Sequence, residues 1–147
     1  MAARVVGACA GCRLPSDCFA LEGVGVLIGD DEPIPDLIVA TGPIDLHARG
    51  IPPEQVLLVV EGVSKSTTFH DRMVKPVVYA EAGIRNYWRF EPKSFKGQPA
   101  GESLPVLFAH ELGTAQAYEL THRVAAGRAT TLRSPFEFTI DPGSLLP

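Results

Sequence analysis

Two acids in this sequence stand at the ends of apolar runs, where side chains able to bind a metal can meet. Asp36 opens the run DLIVA, and Glu61 directly follows the run VLLVV. If the two runs are antiparallel neighbours, these carboxylates meet at one edge of a sheet and form a seat for a hard divalent cation such as Mg²⁺. The backbone carbonyl of Gly62 is a candidate third oxygen ligand.

A lysine on the following segment completes the candidate chemistry. Asp71, Lys75 and Tyr79 are spaced four residues apart and therefore share one face of a helix, from which the lysine can reach back over the acids. A metal that polarises a phosphoryl oxygen and lowers the pKa of a bound water, together with an ammonium group, suits phosphodiester hydrolysis.

Each of these acids also has a structural explanation. Asp71 and Lys75 have the spacing of an ordinary ion pair on a helix surface, and Asp36 after Pro35 has the position of a turn residue. Glu61 is the hardest to explain in this way, because an acid at the end of a buried strand costs free energy unless a partner compensates it.

The elements that must position these residues are strands with one strong helix between them. Residues 25–28 and 36–40 are short apolar runs separated by turn formers, as in neighbouring strands, and residues 56–60 are typical of a buried strand. The segment NYWRFEP is typical of an aromatic strand, and four further strand-like pieces predict a C-terminal β-meander. Those pieces are residues 104–112, 115–123, 129–134 and 136–140. The pattern predicts an α/β domain with a mixed sheet and a helix on one face.

The sequence of this segment indicates where the helix begins, where it ends and which of its sides is apolar. Thr68 as N-cap, with Asp71 three residues later, has the form of a capping box, and Gly83 ends the helix. Pro76 falls inside it and should kink it, because proline removes a backbone hydrogen bond. The apolar residues that recur at helical spacing are Met73, Val77, Ala80 and Ile84.

Length and composition limit the class of protein. A chain of 147 residues, 46% of them apolar, has the size of one globular domain. Its apolar runs are far shorter than the roughly 18 to 20 residues that cross a bilayer, and its N-terminus lacks the sustained apolar core of a signal peptide. These features predict a cytoplasmic protein with no membrane partner.

The cysteines all lie near the N-terminus, at Cys9, Cys12 and Cys18. An odd count without a secretion signal argues against a disulfide framework. Cys9 and Cys12 have zinc-ligand spacing, but no second pair follows, so free thiols are the preferred interpretation.

The net charge of −4 alone speaks against a nucleic-acid binder, but the charge is unevenly distributed. Residues 65–96 hold seven basic residues and three acids, which leaves six basic and fourteen acidic residues elsewhere. A basic segment on an acidic body has the charge of a phosphate-facing surface, and equally that of a solvated helix with its following loop.

Three stretches, PDLIV, LLVVEGVSKST and DRMVKPVVYAEAGIRNYW, occur in an order and spacing that resemble the putative restriction endonuclease family of the PD-(D/E)XK nuclease superfamily. The closing stretch PFEFTIDPGSLL also resembles the C-terminal segment of that family. The resemblance covers residues 24–147, as one domain, and leaves residues 1–23 unmatched. It implies a restriction-endonuclease-like mixed sheet flanked by helices, with the family's N-terminal part truncated.

Carried over residue by residue, the resemblance makes Asp36 and Glu61 the metal-binding acids of a Mg²⁺- or Mn²⁺-dependent endonuclease that cleaves DNA. The usual superfamily lysine, two places after the second acid, would fall on Val63. The resemblance implies that its role has moved onto the helix, to Lys75. The matching supporting positions are Ser64, Asp71 and Tyr79.

The implied partner is DNA, and the resemblance leaves a homodimer open. Two other functions also stay open at this point. One is a catalytically inactive, truncated relative that serves as a DNA- or protein-binding or oligomerisation module. The other is a non-nucleolytic structural or toxin–antitoxin module whose C-terminal meander mediates oligomerisation.

Overall fold

A six-stranded mixed sheet forms the centre of the computed structural model, which describes residues 14–66 and 68–145. Neighbouring strands of this sheet are antiparallel except the third and fourth in its order, which are parallel. In order across the sheet, the strands are β1 (Cys18–Glu22), β2 (Leu37–Thr41), β3 (Val56–Gly62), β4 (Asn86–Glu91), β5 (Val106–Leu112) and β6 (Tyr118–Ala125). The predicted α/β class and mixed sheet are therefore confirmed.

A second, two-stranded sheet covers one face of the main sheet. It consists of β7 (Thr130–Leu132) and β8 (Phe138–Ile140), and a 3₁₀ turn at Pro142–Leu145 follows it. The ring of Phe138 packs against that of Trp88 in the main sheet, with centroids 5.7 Å apart. Of the predicted meander, β5 and β6 extend the main sheet, while β7 and β8 fold back over it.

Different elements pack on the two faces of the main sheet. Side chains alternate along each strand, and this alternation decides the face to which each residue points. In β3, Val60 packs in the cluster formed with β7 and β8. Val59 points to the opposite face, where it packs with Tyr79 and Ile84 from the connection between β3 and β4. Glu61 lies two residues after Val59 and so also points to this helix-covered face.

The connection from β3 to β4 is helical and changes type along its length. A π-helical segment, His70–Val74, runs into α1 (Lys75–Glu81), and the N–H of Lys75 donates to the carbonyl of His70. Pro76 lies in the first turn of α1, where a missing N–H is tolerated. The sequence predicted a kink at Pro76. The structure instead has a change from π-helical to α-helical hydrogen bonding just before this residue. None of the helices in the described part of the chain has the length and apolar composition that crossing a bilayer requires.

The predicted helix start at a Thr68 capping box is wrong. Thr68 is itself helical, and its hydroxyl donates to the carbonyl of Ser64 at 2.8 Å. The side chain therefore satisfies an upstream carbonyl, a common local bond of Ser and Thr. The predicted helix end is confirmed, because Gly83 has φ of 79°, a left-handed conformation that glycine adopts without strain.

The predicted apolar helix face is wrong at two of its four positions. Met73 is 61% exposed and Val77 is 54% exposed, whereas Asp71, Tyr79 and Ala80 are buried. The polar face of the helix is buried because the facing strands carry its hydrogen-bond partners. The spacing of apolar residues along the sequence cannot predict burial of this kind.

The edge strand β1 was missed by the sequence analysis, and a strand predicted at residues 25–28 is absent. Cys18–Glu22 pairs along its whole length with β2, although the resemblance in sequence described above did not extend to residues 1–23. Residues 25–28 form only isolated bridges, to Ile51 and Asp31. Ile28 and Asp31 exchange backbone hydrogen bonds around a turn at residues 29–30, so the run ends in a tight turn and not in a regular strand.

Truncating the two faces of the helical connection should have very different effects on stability. Ile84 is fully buried, so Ile84→Ala should lower the free energy of unfolding by about 2 to 5 kcal/mol, the usual cost of such a cavity. Val77→Ala, on the exposed face, should change it by less than about 0.5 kcal/mol. Urea denaturation followed by circular dichroism measures both, and equal losses would contradict the observed packing.

Candidate active site

The register between β2 and β3 brings the two acids at the strand ends together. Ile38 pairs with Val59 in an antiparallel ladder, and the same register continued by two residues sets Asp36 opposite Glu61. Both acids then point to the helix-covered face, because Asp36 lies two residues from Ile38 and Glu61 lies two residues from Val59. Asp36 is exposed just before β2, whereas Glu61 is only 1% exposed at the end of β3.

The buried carboxylate of Glu61 has a hydrogen-bond donor on each oxygen. The ammonium of Lys75 lies 2.9 Å from Oε2, and the hydroxyl of Tyr79 donates to Oε1 at 2.8 Å. Both donors come from α1, one turn apart. The compensation that an acid at a buried strand end requires is therefore supplied by the helix.

Lys75 also contacts a second buried carboxylate, that of Asp71. The distance from Nζ of Lys75 to Oδ1 of Asp71 is 3.0 Å, and the Asp71 side chain is 2% exposed. The backbone carbonyl of Asp71 accepts a hydrogen bond from the hydroxyl of Tyr87 in β4 at 2.7 Å. The structure thus excludes the explanation of this pair as an ordinary surface ion pair, because the acid faces the sheet.

The environment shifts the pKa values of these groups in directions that follow from burial and charge. Burial raises the pKa of Glu61, and the charge of Asp36 adds to this, while the bonds from Lys75 and Tyr79 oppose it. Burial lowers the pKa of Lys75, but the carboxylates of Glu61 and Asp71 outweigh it, so that the pKa is raised and the side chain stays an ammonium. Burial and the negative charge of Glu61 raise the pKa of Tyr79, which keeps it a neutral donor.

Gly62 links the two acids through the backbone. Its N–H donates to Oδ2 of Asp36 at 2.6 Å, which holds the Asp36 side chain against the end of β3. The carboxylate of Asp36 is therefore hydrogen-bonded to the backbone of the residue that follows Glu61.

The donor set fits a hard divalent cation. Carboxylate oxygens of Asp36 and Glu61, with a carbonyl from Gly62, are the ligands that Mg²⁺ and Mn²⁺ prefer. Mg²⁺ usually binds one or two carboxylates and completes its shell with water and substrate phosphate. In the described ranges, no group of three or more His, Cys, Asp or Glu side chains is arranged to hold a metal, so a fully protein-coordinated site is absent there.

A second buried ion cluster, missed by the sequence analysis, lies beside the first. Glu91, 2% exposed at the end of β4, accepts two bonds of 2.7 Å from the guanidinium of Arg72. Nε of Arg89 is 3.2 Å from Glu91, in ion-pair contact, and its guanidinium lies 4.6 Å from the ring centroid of Phe108. The alternation within NYWRFE is the signal that could have placed Arg89 and Glu91 on the same face as Tyr87, but it does not indicate the contact of Glu91 with Arg72.

The remaining candidates are Ser64 and the cysteines. The hydroxyl of Ser64 is exposed and lies 3.2 Å from that of Ser66, in the turn that follows β3. Cys18 is a free thiol in β1, in agreement with the preferred interpretation. Cys9 and Cys12 lie outside the described residues.

Comparison with known proteins relates the chain to one family. The model of the family Uma2, described as "Putative restriction endonuclease", matches residues 3–135, which is more than half of the chain. The matched range contains both acids of the strand ends and the helix that carries Lys75, and it also includes β1. No curated protein matches the chain.

Proposed function

The chain belongs to the Uma2 family, described as putative restriction endonucleases, and from this premise we propose that it is a metal-dependent endonuclease that hydrolyses phosphodiester bonds in DNA. The observation that carries the proposal is the grouping of Asp36, Glu61 and Lys75 on one face of the sheet. An ammonium 2.9 Å from a buried carboxylate, next to a second, exposed carboxylate, can act on a phosphate bound between them.

In this proposal Asp36 and Glu61 hold the metal, and the carbonyl of Gly62 is a third ligand. A bound Mg²⁺ or Mn²⁺ would polarise the phosphoryl oxygen and lower the pKa of a water. The exposed position of Asp36 leaves the site open to a substrate phosphate from solvent. Tyr79 and the N–H of Gly62 each hold one of these carboxylates in place, which is the usual role of residues that surround metal ligands.

Lys75 is proposed to stabilise charge rather than to accept a proton. Its raised pKa keeps it protonated near neutral pH, so it can orient the attacking water and offset the negative charge that develops on the phosphoryl oxygens. Asp71 holds the ammonium from the other side at 3.0 Å and is therefore a positioning residue.

DNA is the proposed substrate, in line with the family's description and with the charge distribution. The basic segment 65–96 includes the helix that carries Lys75 and the strand β4 beside it. A local positive potential beside the acids would favour the approach of a polyanion despite the negative total charge. The homodimer stays a prediction.

Cleavage of supercoiled plasmid tests the proposal. The wild type should convert plasmid to nicked and linear forms with Mg²⁺ or Mn²⁺ and should not do so in EDTA. Asp36→Asn should lower the rate at least about tenfold, because outer partners of metal ligands alone are worth 10- to 100-fold.

Asp30→Asn is the matched control, since Asp30 is an exposed acid in a turn. Cleavage that is insensitive to EDTA, or equal in the two Asp→Asn variants, would contradict the proposal. Binding of DNA with no cleavage under any metal would favour the inactive binding module instead.

A further inference from the structure

A cavity of about 490 Å³ opens at the edge of the sheet where the parallel strands β3 and β4 end. Crevices at the carboxyl ends of parallel strands are the usual ligand sites of α/β sheets. Its lining includes three cationic side chains, Lys65, Arg72 and Lys93, one acid, Glu91, and the hydroxyl groups of Ser64, Thr68 and Ser94.

This cavity adjoins the candidate active site, and its lining contains none of Asp36, Glu61 and Lys75. Its lining begins two residues after Glu61, where the N–H of Val63 donates to the carbonyl of Phe90 at 2.9 Å and keeps the two strand ends joined. Arg72, which forms part of the lining, directly follows Asp71 in the helix. The cavity therefore lies directly beside the candidate active site.

The lining has a positive charge that the protein does not neutralise. The charge of Arg72 is taken up by the bidentate pair with Glu91. Lys65 and Lys93 are both exposed, and no ion pair of either is found among the described residues. They follow β3 and β4 respectively, so two ammonium groups from neighbouring strand ends line one cavity.

Hydroxyl groups add hydrogen-bonding capacity to this charge. The hydroxyl of Thr68 donates to the carbonyl of Ser64 and keeps its lone pairs available, and Ser94 lies beside Lys93 in the lining. Lysine ammonium groups and hydroxyls are among the side-chain groups that contact phosphate oxygens in nucleic-acid complexes.

We propose that this cavity binds a backbone phosphate of the DNA next to the one that is cleaved, with Lys65 and Lys93 as its charged ligands. The proposal rests on the proposed function and adds a second contact point to it. Such a contact positions the strand without reading its sequence, because phosphates are the same at every base.

DNA binding measured in EDTA, where metal-dependent cleavage does not occur, tests the proposal separately from the chemistry. The variant Lys65→Gln/Lys93→Gln and the wild type are titrated against a fluorescent duplex at several salt concentrations. Arg85→Gln/Lys96→Gln is the matched control, because both residues are exposed, lie in the same basic segment and are absent from the lining.

The lysine variant should bind about tenfold more weakly than the control, and the slope of log affinity against log salt should fall by about one to two, as expected for lost phosphate contacts. Equal affinity and slope in the two double variants would overturn the proposal. A second arm titrates inorganic phosphate into the wild type. Phosphate binding that is lost in the lysine variant, with an unchanged DNA slope, would assign the cavity to free phosphate and would also overturn it.

The outcome for the cavity is independent of the outcome for catalysis. If the wild type cleaves plasmid but the lysine variant binds DNA like the control, the cavity proposal alone is wrong. If the lysine variant loses DNA binding while no protein cleaves plasmid with any metal, the endonuclease proposal is wrong and the phosphate site stands.

Discussion

Replacing Glu61 with glutamine should abolish metal-dependent cleavage and leave the fold intact. Glutamine has the same shape, and its one oxygen can still accept from Lys75 while its NH₂ donates to the hydroxyl of Tyr79, but it lacks the charge that a divalent cation requires. The cleavage rate should therefore fall at least about a hundredfold, the upper end of what loss of an outer-shell partner costs. Initial rates of plasmid nicking at saturating Mg²⁺ measure the effect.

The control for this variant is Glu54→Gln, because Glu54 is an exposed acid in the 3₁₀ turn before β3. It should cleave at the wild-type rate. A Glu61→Gln protein that is as active as this control would remove Glu61 from the site.

The same variant has a signature in stability against pH. Because the pKa of Glu61 is raised above 4.5 in the folded state, the folded protein holds this proton more tightly than the unfolded chain does. The contribution of Glu61 to stability is therefore fully present below about pH 4.5 and is lost as the pH rises through the folded pKa. The melting temperatures of wild type and Glu61→Gln, measured across this pH range, should differ less at low pH than at neutral pH.

Replacing Lys75 with methionine should lower cleavage and strengthen metal binding at the same time. Methionine keeps much of the length of the side chain but removes the ammonium, and loss of one preorganised charge-stabilising group typically costs about 10²- to 10³-fold in rate. The carboxylates of Glu61 and Asp71 would then lack the cation that lies 2.9 and 3.0 Å from them. A divalent ion would no longer compete with the ammonium for Glu61.

The loss of Lys75 should also be visible as lower stability without metal. Removing one partner of a buried ion pair costs about 3 to 5 kcal/mol, and added Mn²⁺ should restore part of this by binding the folded state. Titration calorimetry with Mn²⁺ and melts with and without metal measure both effects. Lys96→Met, at an exposed lysine of the same segment, should change neither. Weaker Mn²⁺ binding in Lys75→Met would contradict the competition.

The residues that meet at the candidate site were predictable because their positions depend on local periodicity. Asp36 and Glu61 lie at the ends of apolar runs, and a strand period of two sets both on one face once the runs pair. The four-residue spacing of Asp71, Lys75 and Tyr79 likewise determines that they share one side of a helix. Their roles in binding a metal and in catalysis stay predictions, to be decided by the variants above.

The features that sequence reasoning missed all depend on distant partners. Nothing in the local sequence indicates that Glu91 will meet Arg72, because their contact exists only after the helix has crossed the sheet. The exposure of Met73 and Val77 has the same origin, since the facing acids made the polar side of the helix the buried one. The edge strand β1 gains its structure from pairing with β2 rather than from its own short pattern.

The sequence by itself therefore determined the chemistry available to this protein, namely acids at two strand ends and a lysine on the following helix. Only the tertiary structure decided that the lysine bridges two buried carboxylates and that two lysines after β3 and β4 line one cavity beside them. The physical reason is that residue type and period are properties of a short segment. Burial, ion pairing and the shape of a cavity arise only when segments far apart in the chain pack together.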